Sequence, residues 1–309
     1  MVNSIDNFDD RFLGFGDAIL KILLTDQTTH RNIIWATDNY EHLGNDYHAK
    51  YPILINLITG ENVNIIQPRT MKAKARQTNR TKDKAEVFTP SWMCNEQNNL
   101  VDEQWFGRKN VFNIPHTHGW TSTNTPISFQ EKHGKRWTDY VDLRRLEITC
   151  GEAPYLVSRY DTVTGNSIEP AHRIGLLDRK LRVVNENTID EENWFRWTVR
   201  AFQSIYGFEY QGDSLLLARE NLLYTFLDNL EYKFHRSPTF SEIKEIAYII
   251  SWNIWQMDGM TYTVPFGVVE EQYQQMKLKD YFDEKGQYLC KIRNWRCNKT
   301  ILYASLIKN

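Results

Sequence analysis

Apolar residues recur at helical spacing over residues 16–25, 173–187, 191–205, 213–234 and 241–253, which predicts five amphipathic helices. Shorter runs rich in β-branched and aromatic residues read as strands. They are "IIWA" at 33–36, "LEITC" at 146–150, "YGFEY" at 206–210, the run into "IWQMDG" at 254–259, and "YLCKI" at 288–292. "YPILINLI" and "VNII" flank the turn Thr59-Gly60-Glu61-Asn62 and predict a hairpin over 51–66. Residues 85–106 predict an extended stretch and then a helix, and residues 110–137 read as loop. Between 141 and 260 strands and helices alternate, the signature of βαβ units. The expected fold class is therefore α/β, a mainly parallel sheet with helices on both faces. The division expected is an N-terminal segment at 1–84, with a helix, short strands and a basic arm, and a larger domain at 85–309.

Composition narrows this without naming a chemistry. With 41% hydrophobic and 25% charged residues, the chain reads as an ordinary globular protein. The start "MVNSIDNFDDRFLG" lacks the pattern of a signal peptide, and no apolar run approaches the ~20 residues of a membrane span. A soluble, cytoplasmic protein is expected. The formal net charge of −2 gives no global field for a polyanion, so any nucleic-acid contact must be local. One such patch exists: Lys72, Lys74, Arg76, Arg80 and Lys82 stand in a stretch with a single acidic residue, Asp83. It reads either as a solvated linker or as a phosphate-contacting arm. Cys94, Cys150, Cys290 and Cys297 show no paired spacing, and His116 and His118 have no third ligand nearby in sequence, so no metal is expected.

In open α/β sheets ligands bind at the carboxyl ends of the strands. Three such ends carry candidates: Glu147, Thr149 and Gly151 after the first strand, Glu209 after the second, and Asp258 after the third. An acid ending a strand that follows a glycine turn can accept the hydroxyls of a ribose, which suits Glu209.

Four stretches carry a resemblance. "AEVFTPSW", "LEITCGEAPYLV", "YGFEYQGDSLLLARENLL" and "IWQMDG" resemble, in order, the cofactor motifs of the amino-methylating DNA methyltransferases, over roughly residues 85–260. The resemblance implies a Rossmann-like core that binds S-adenosylmethionine. Phe88, Thr89 and Pro90 would flank its methionine part, and Glu147, Thr149 and Gly151 would line the loop. Glu209 would hold the ribose and Asp258 the adenine.

Two features depart from the family pattern. Glu152-Ala153-Pro154 stands where a second small residue usually follows the first glycine, and the catalytic Asp/Asn/Ser-Pro-Pro-aromatic tetrapeptide is absent. Its role falls either to Asp38 and Tyr40, in a permuted arrangement with "IIWA" as the fourth strand, or to Asn294 and Trp295; the permuted version is preferred. The function implied is methylation of an exocyclic amine in DNA, adenine N6 before cytosine N4, in a bacterial or phage-infected cell. DNA is the implied partner, alongside a restriction or specificity subunit. The alternatives are a methyltransferase-like binder of DNA or a partner that lacks the transfer step, and a methyltransferase acting on RNA or a small molecule.

Overall fold

The computed structural model describes residues 16–71, 89–130, 134–268 and 287–307. Phe88 and the basic residues Lys72, Lys74, Arg76, Arg80 and Lys82 lie outside them. The helices are α1 (Gly16–Leu24), α2 (Ser91–Phe106), α3 (Trp137–Val141), α4 (Leu176–Asn187), α5 (Glu191–Gln203), α6 (Gly212–Phe234) and α7 (Phe240–Asn253). The strands are β1 (Asn113–His116), β2 (Gly119–Ser122), β3 (Arg145–Glu147), β4 (Ile205–Glu209), β5 (Ile254–Gln256), β6 (Thr263–Val268), β7 (Gln287–Leu289), β8 (Lys291–Asn294) and β9 (Lys299–Leu302).

The class is mixed α/β, and the alternation of strands and helices does produce parallel pairing. Strands β3, β4 and β5 form a parallel sheet in that order, with Glu147 opposite Gly207 and Glu209 opposite Gln256. The other sheets are antiparallel pairs, β1–β2, β6–β7 and β8–β9.

The expected layering is different. Ile205 and Ile254 turn one sheet face into the main core, among residues of α1, α4, α5, α6 and α7. Tyr206, Phe208, Trp255 and Met257 turn the other way, the period-two alternation of strands. They cluster with Val264, Cys290, Ile292 and Tyr303, and no residue of an α-helix belongs to that cluster. Helices thus cover one face, and the C-terminal strands cover the other. Gly207 faces the helical side, where a Cβ would lie 3.3 Å from both Cys150 Sγ and the Ile254 side chain, closer than ordinary contact.

Two further expectations change. Residues 51–66 form no hairpin; Ile55–Leu57 and Gly60–Asn62 are single 3-10 turns. The extended chain at 33–36 takes the pairing instead, with Trp35 N donating to Tyr51 O and Ile53 N to Ile33 O. Pro52 stands opposite Ile34 at a non-hydrogen-bonded position, where its missing N–H costs this pairing nothing. Residues 110–137, read as loop, contain the β1–β2 hairpin and the first residue of α3. Gly119 stands opposite His116, whose ring would lie 2.6 Å from a Cβ there and would have to swing aside.

Buried cations hold the start of each parallel strand. Lys180 of α4, 1% exposed, donates from Nζ to Val141 O (3.0 Å), to Leu143 O and to Ser204 Oγ (2.5 Å), just ahead of β3 and β4. Arg219 of α6, fully buried, donates from Nε to Ile254 O (2.7 Å) and from Nη2 to Ser251 O (3.2 Å). Its Nη1 donates to Leu23 O and to Thr25 O (3.0 Å). These carbonyls end α1 and α7 and begin β5. They are the acceptors that a helix leaves unpaired and that carry its negative dipole end. Burial lowers the Arg219 pKa to about 10, with Asp26 pulling the other way.

A lysine at 219 keeps the charge but not the planar fan of donors. Arg219→Lys should cost about 2–4 kcal/mol, from buried carbonyls left without partners. Denaturant titration checks this, and a loss under about 1 kcal/mol would show that the fan is dispensable.

Candidate functional site

The site is built where the parallel strands end. Pairing between β3 and β4 runs past Glu147 as far as Cys150, whose N donates to Phe208 O at 2.8 Å. The chain then coils tightly, with positive φ at Thr149 (47°), Gly151 (53°) and Ala153 (64°). Only the glycine adopts this region freely, so Thr149 and Ala153 are held there by their surroundings. Ala153 is fully buried, and its carbonyl accepts the amides of Leu156 and Val157. Pro154 is therefore the second residue of a turn, a position its fixed φ suits and where no amide donor is required.

No helix follows this loop directly. Helix α4 begins at Leu176 and presses its N-terminus on the loop, where the amides of Leu176 and Leu177 donate to the carbonyls of Tyr155 and Leu156 (both 2.8 Å). Gly175 permits this approach, since a Cβ there would stand 2.3 Å from Leu156 O. Asp178 Oδ2 accepts from Ser158 N, Ser158 Oγ and Gly175 N, which ties the loop to the helix start. Asn98 of α2 adds two bonds, to Tyr155 O (3.0 Å) and Ile174 O (3.1 Å).

Two acids from successive strand ends meet this loop, and a third stands at the next strand end. Glu209 accepts Gly151 N on Oε2 (2.9 Å) and the amides of Tyr210 (2.9 Å) and Gln211 (3.1 Å) on Oε1. Burial raises its pKa, and the three amides pull it back. Glu147 Oε1 accepts Tyr155 N at 3.4 Å, while Oε2 is buried without a partner. Burial pushes Glu147 well above the usual carboxylate range, against the amides of Tyr155 and Leu156, and the charge of Glu209 adds to the rise. Asp258, two residues past β5, accepts the amides of Met260 (2.8 Å) and Thr261 (3.3 Å) on Oδ1.

Thr89 and Pro90 border the same place. Pro90 precedes α2, Thr89 O accepts from Thr162 Oγ1 at 2.9 Å, and the Tyr155 side chain hydrogen-bonds with Thr89 and Cys94. Burial, and then the charge of Glu147, push the Cys94 thiol up to about 12. Thr149 is exposed at the outer bend, its Oγ1 donating to Ile148 O at 2.7 Å. Thr89, Pro90, Glu147, Gly151 and Glu209 thus surround one loop, with Asp258 at the neighbouring strand end beside Tyr210.

The catalytic candidates stand elsewhere. Asp38 is exposed, and Tyr40 is buried against Trp35, its hydroxyl donating to Asp213 Oδ2 at 2.8 Å. The "IIWA" segment does not enter the parallel sheet. It lies beside β5, where the Gln256 amide accepts from Ile34 N and donates to Ile34 O, both at 2.9 Å. Asn294 accepts from Arg144, and Trp295 Nε1 donates to Asn253 Oδ1 at 2.7 Å.

Glu152 was legible in the loop, whereas Asn221, which helps build it, was not. Glu152 is buried and accepts from Arg69 N (2.8 Å) and the Tyr160 hydroxyl (2.6 Å), so its carboxylate faces inward and not toward a ligand. Asn221 donates to Glu152 O (3.1 Å) and to the Tyr160 oxygen (3.2 Å). A polar residue within the apolar spacing of α6 was the available sign of Asn221. Chemically, the site offers acceptors, one of them an orphaned buried carboxylate oxygen. Hydroxyl, ammonium and exocyclic amine donors suit it. Among the described residues no group of His, Cys, Asp or Glu could hold a metal ion, and no helix is long and apolar enough to cross a membrane.

No protein-family model, curated protein or solved structure matches the chain.

The raised Glu147 pKa has a definite sign. Folding tightens the hold on this proton, so the group's contribution is complete below its ordinary value of 4.5 and is lost as pH rises toward the folded value. Glu147→Gln keeps the neutral shape and should flatten the fall of stability above pH 4.5, raising Tm most on the alkaline side. Parallel Tm–pH curves for the two proteins would refute the assignment.

Proposed function

We propose that the chain is an S-adenosylmethionine-dependent methyltransferase acting on an exocyclic amine of DNA, adenine N6 first. The observation that carries this reading is the convergence of separate segments on one loop. Thr89-Pro90, Glu147, Gly151 and Glu209 come from stretches up to 120 residues apart, since 209 minus 89 is 120, and they meet at the carboxyl ends of β3 and β4. Nucleotide ligands of parallel sheets bind at such ends.

The donor set suits the cofactor. Glu147 Oε2 lacks a partner, and an ammonium group placed there would favour its ionised form and pair with it, while Glu209 Oε2, with one amide on it, retains an acceptor position for a ribose hydroxyl. Asp258 accepts amides on Oδ1 and has Oδ2 left for an adenine amine. When bound, S-adenosylmethionine supplies an electrophilic methyl on sulfur. The protein's part is to hold the amine in line with that methyl and keep water out, which is positioning and not acid–base chemistry. Phe88 and the basic arm of Lys72, Lys74, Arg76, Arg80 and Lys82 are assigned here on the sequence resemblance and the local charge.

One observation favours a second reading, a protein that binds cofactor and DNA without the transfer step. Both rings considered for stacking on a target base are engaged, Tyr40 with Asp213 and Trp295 with Asn253.

Calorimetry with S-adenosylhomocysteine tests the cofactor assignment. Binding is expected in the micromolar range, weakened about tenfold or more by Glu209→Ala, and an absence of binding to the wild-type protein would end the methyltransferase reading. Transfer of a tritiated methyl group to unmethylated DNA separates the two readings. Charge reversal at Lys72, Lys74 and Arg76 should weaken DNA binding and flatten its salt dependence. An unchanged salt slope would return that segment to a solvated linker.

A further inference from the structure

On the sheet face away from the helices, the strands and the C-terminal hairpin enclose a cavity of about 170 Å³. It lies toward the starts of β3 and β4, where Leu146 is opposite Tyr206, and not at the strand ends of the site above. Its walls are the rings of Tyr206, Trp255 and Tyr303 with the aliphatic chains of Leu146, Ile292 and Leu306. Leu146 and Leu306 are 45% and 54% exposed, so the apolar wall is open to solvent on that side.

The surroundings are apolar in the interior and cationic outside. An apolar cavity of about 150 Å³ takes up a benzene ring, so the space here suits one aromatic ring and little more. At the rim, Arg144 donates one hydrogen bond to Asn294 Oδ1 (3.1 Å) and forms no ion pair among the described residues. The charged residues that line the cavity are Arg144, Arg145 and Arg293, all positive, and Asp142 is the acid that acts on Tyr206. Asp142 is already shared between Arg200 and Arg296. The charge at the opening is therefore positive. Arg145 is paired with Asp102 and Arg293 donates to Thr300 Oγ1 and Asn298 Oδ1, so Arg144, with its one hydrogen bond, has the most donors to give.

We propose that this cavity is a binding site for a small aromatic carboxylate, with the ring against Tyr206, Trp255 and Tyr303 and the carboxylate at Arg144. The ring gains burial among aromatic and aliphatic walls, and the anion meets a planar guanidinium whose geometry matches a carboxylate. A neutral ring gains only the first contribution. The site is independent of the proposed methyl transfer, because it uses the opposite sheet face and none of the strand-end acids.

Calorimetric titration with benzoate tests this, with benzyl alcohol as the neutral probe of similar size. Benzoate should bind saturably with Kd on the order of 1 mM, and benzyl alcohol at least fivefold more weakly. Arg144→Gln should weaken benzoate about fivefold or more and leave benzyl alcohol unchanged. Leu146→Trp, and separately Leu306→Trp, place an indole in the space from a partly exposed position. Each should abolish binding of both probes while Tm stays within a few degrees of wild type. No saturable benzoate binding up to about 20 mM would overturn the proposal, as would benzoate binding that survives both tryptophan variants. Equal affinity for the two probes, or an unaltered benzoate affinity in Arg144→Gln, would overturn the carboxylate assignment.

Discussion

A sheet of three short parallel strands leaves backbone groups without partners at both ends, and in this protein buried ionisable side chains satisfy them. Lys180 and Arg219 donate to carbonyls where the strands begin, at Leu143, Ser251 and Ile254, with Ser204 as a side-chain acceptor. Glu147 and Glu209 accept amides where the strands finish, at Tyr155, Gly151, Tyr210 and Gln211. Each of these side chains faces mainly backbone dipoles and not a single counter-ion. That arrangement suits a low-dielectric interior, where an unpaired polar group is costly. Arg219 has the widest reach, because it joins α1, α6 and α7 to the start of β5.

The same constraint explains the two unlike faces of the sheet. On one side Gly207 lets Cys150 and Ile254 close up beneath the helices. On the other side Tyr206, Phe208 and Trp255 present large rings, and the C-terminal strands bring Ile292 and Tyr303 against them. The ring of Trp295 packs on the main core while its Nε1 reaches Asn253, and Asn253 in turn donates to Phe202 O and Ile205 O. This asparagine links the C-terminal hairpin to the start of β4. The two cores are thereby joined through one polar side chain as well as through the sheet.

The strand-end loop follows from the same principle. Its backbone turns through three positive-φ residues, a conformation that only outside contacts can hold in the threonine and the alanine. Those contacts come from every side: Glu209 on Gly151, Asn221 on Glu152, Asn98 on Tyr155, and the first amides of α4 on Tyr155 and Leu156. The two glutamates are driven toward their neutral forms by burial. A site lined by such acids favours ligands that bring hydrogen-bond donors or a positive charge, which is the character of the proposed cofactor.

The sequence by itself determined the longer helices, the three parallel strands and the acids at their ends, since these depend on local periodicity and on turn chemistry, but not the short α3. "LEITCGEAPYLV" was legible as a strand and a turn for that reason, and its Pro154 fits the turn without strain. Only the tertiary structure decided which face of the sheet meets helices, because alternation states that two faces exist but not what covers each. It also decided that 33–36 pairs with 49–53 in place of a hairpin at 51–66, with the free edge of Ile34 met by the Gln256 amide from 222 residues away. The roles of Lys180, Arg219 and Asn221 likewise depend on carbonyls and amides brought from distant parts of the chain. Side-chain type fixes what a residue can donate or accept, but its partners exist only once the chain has folded around it.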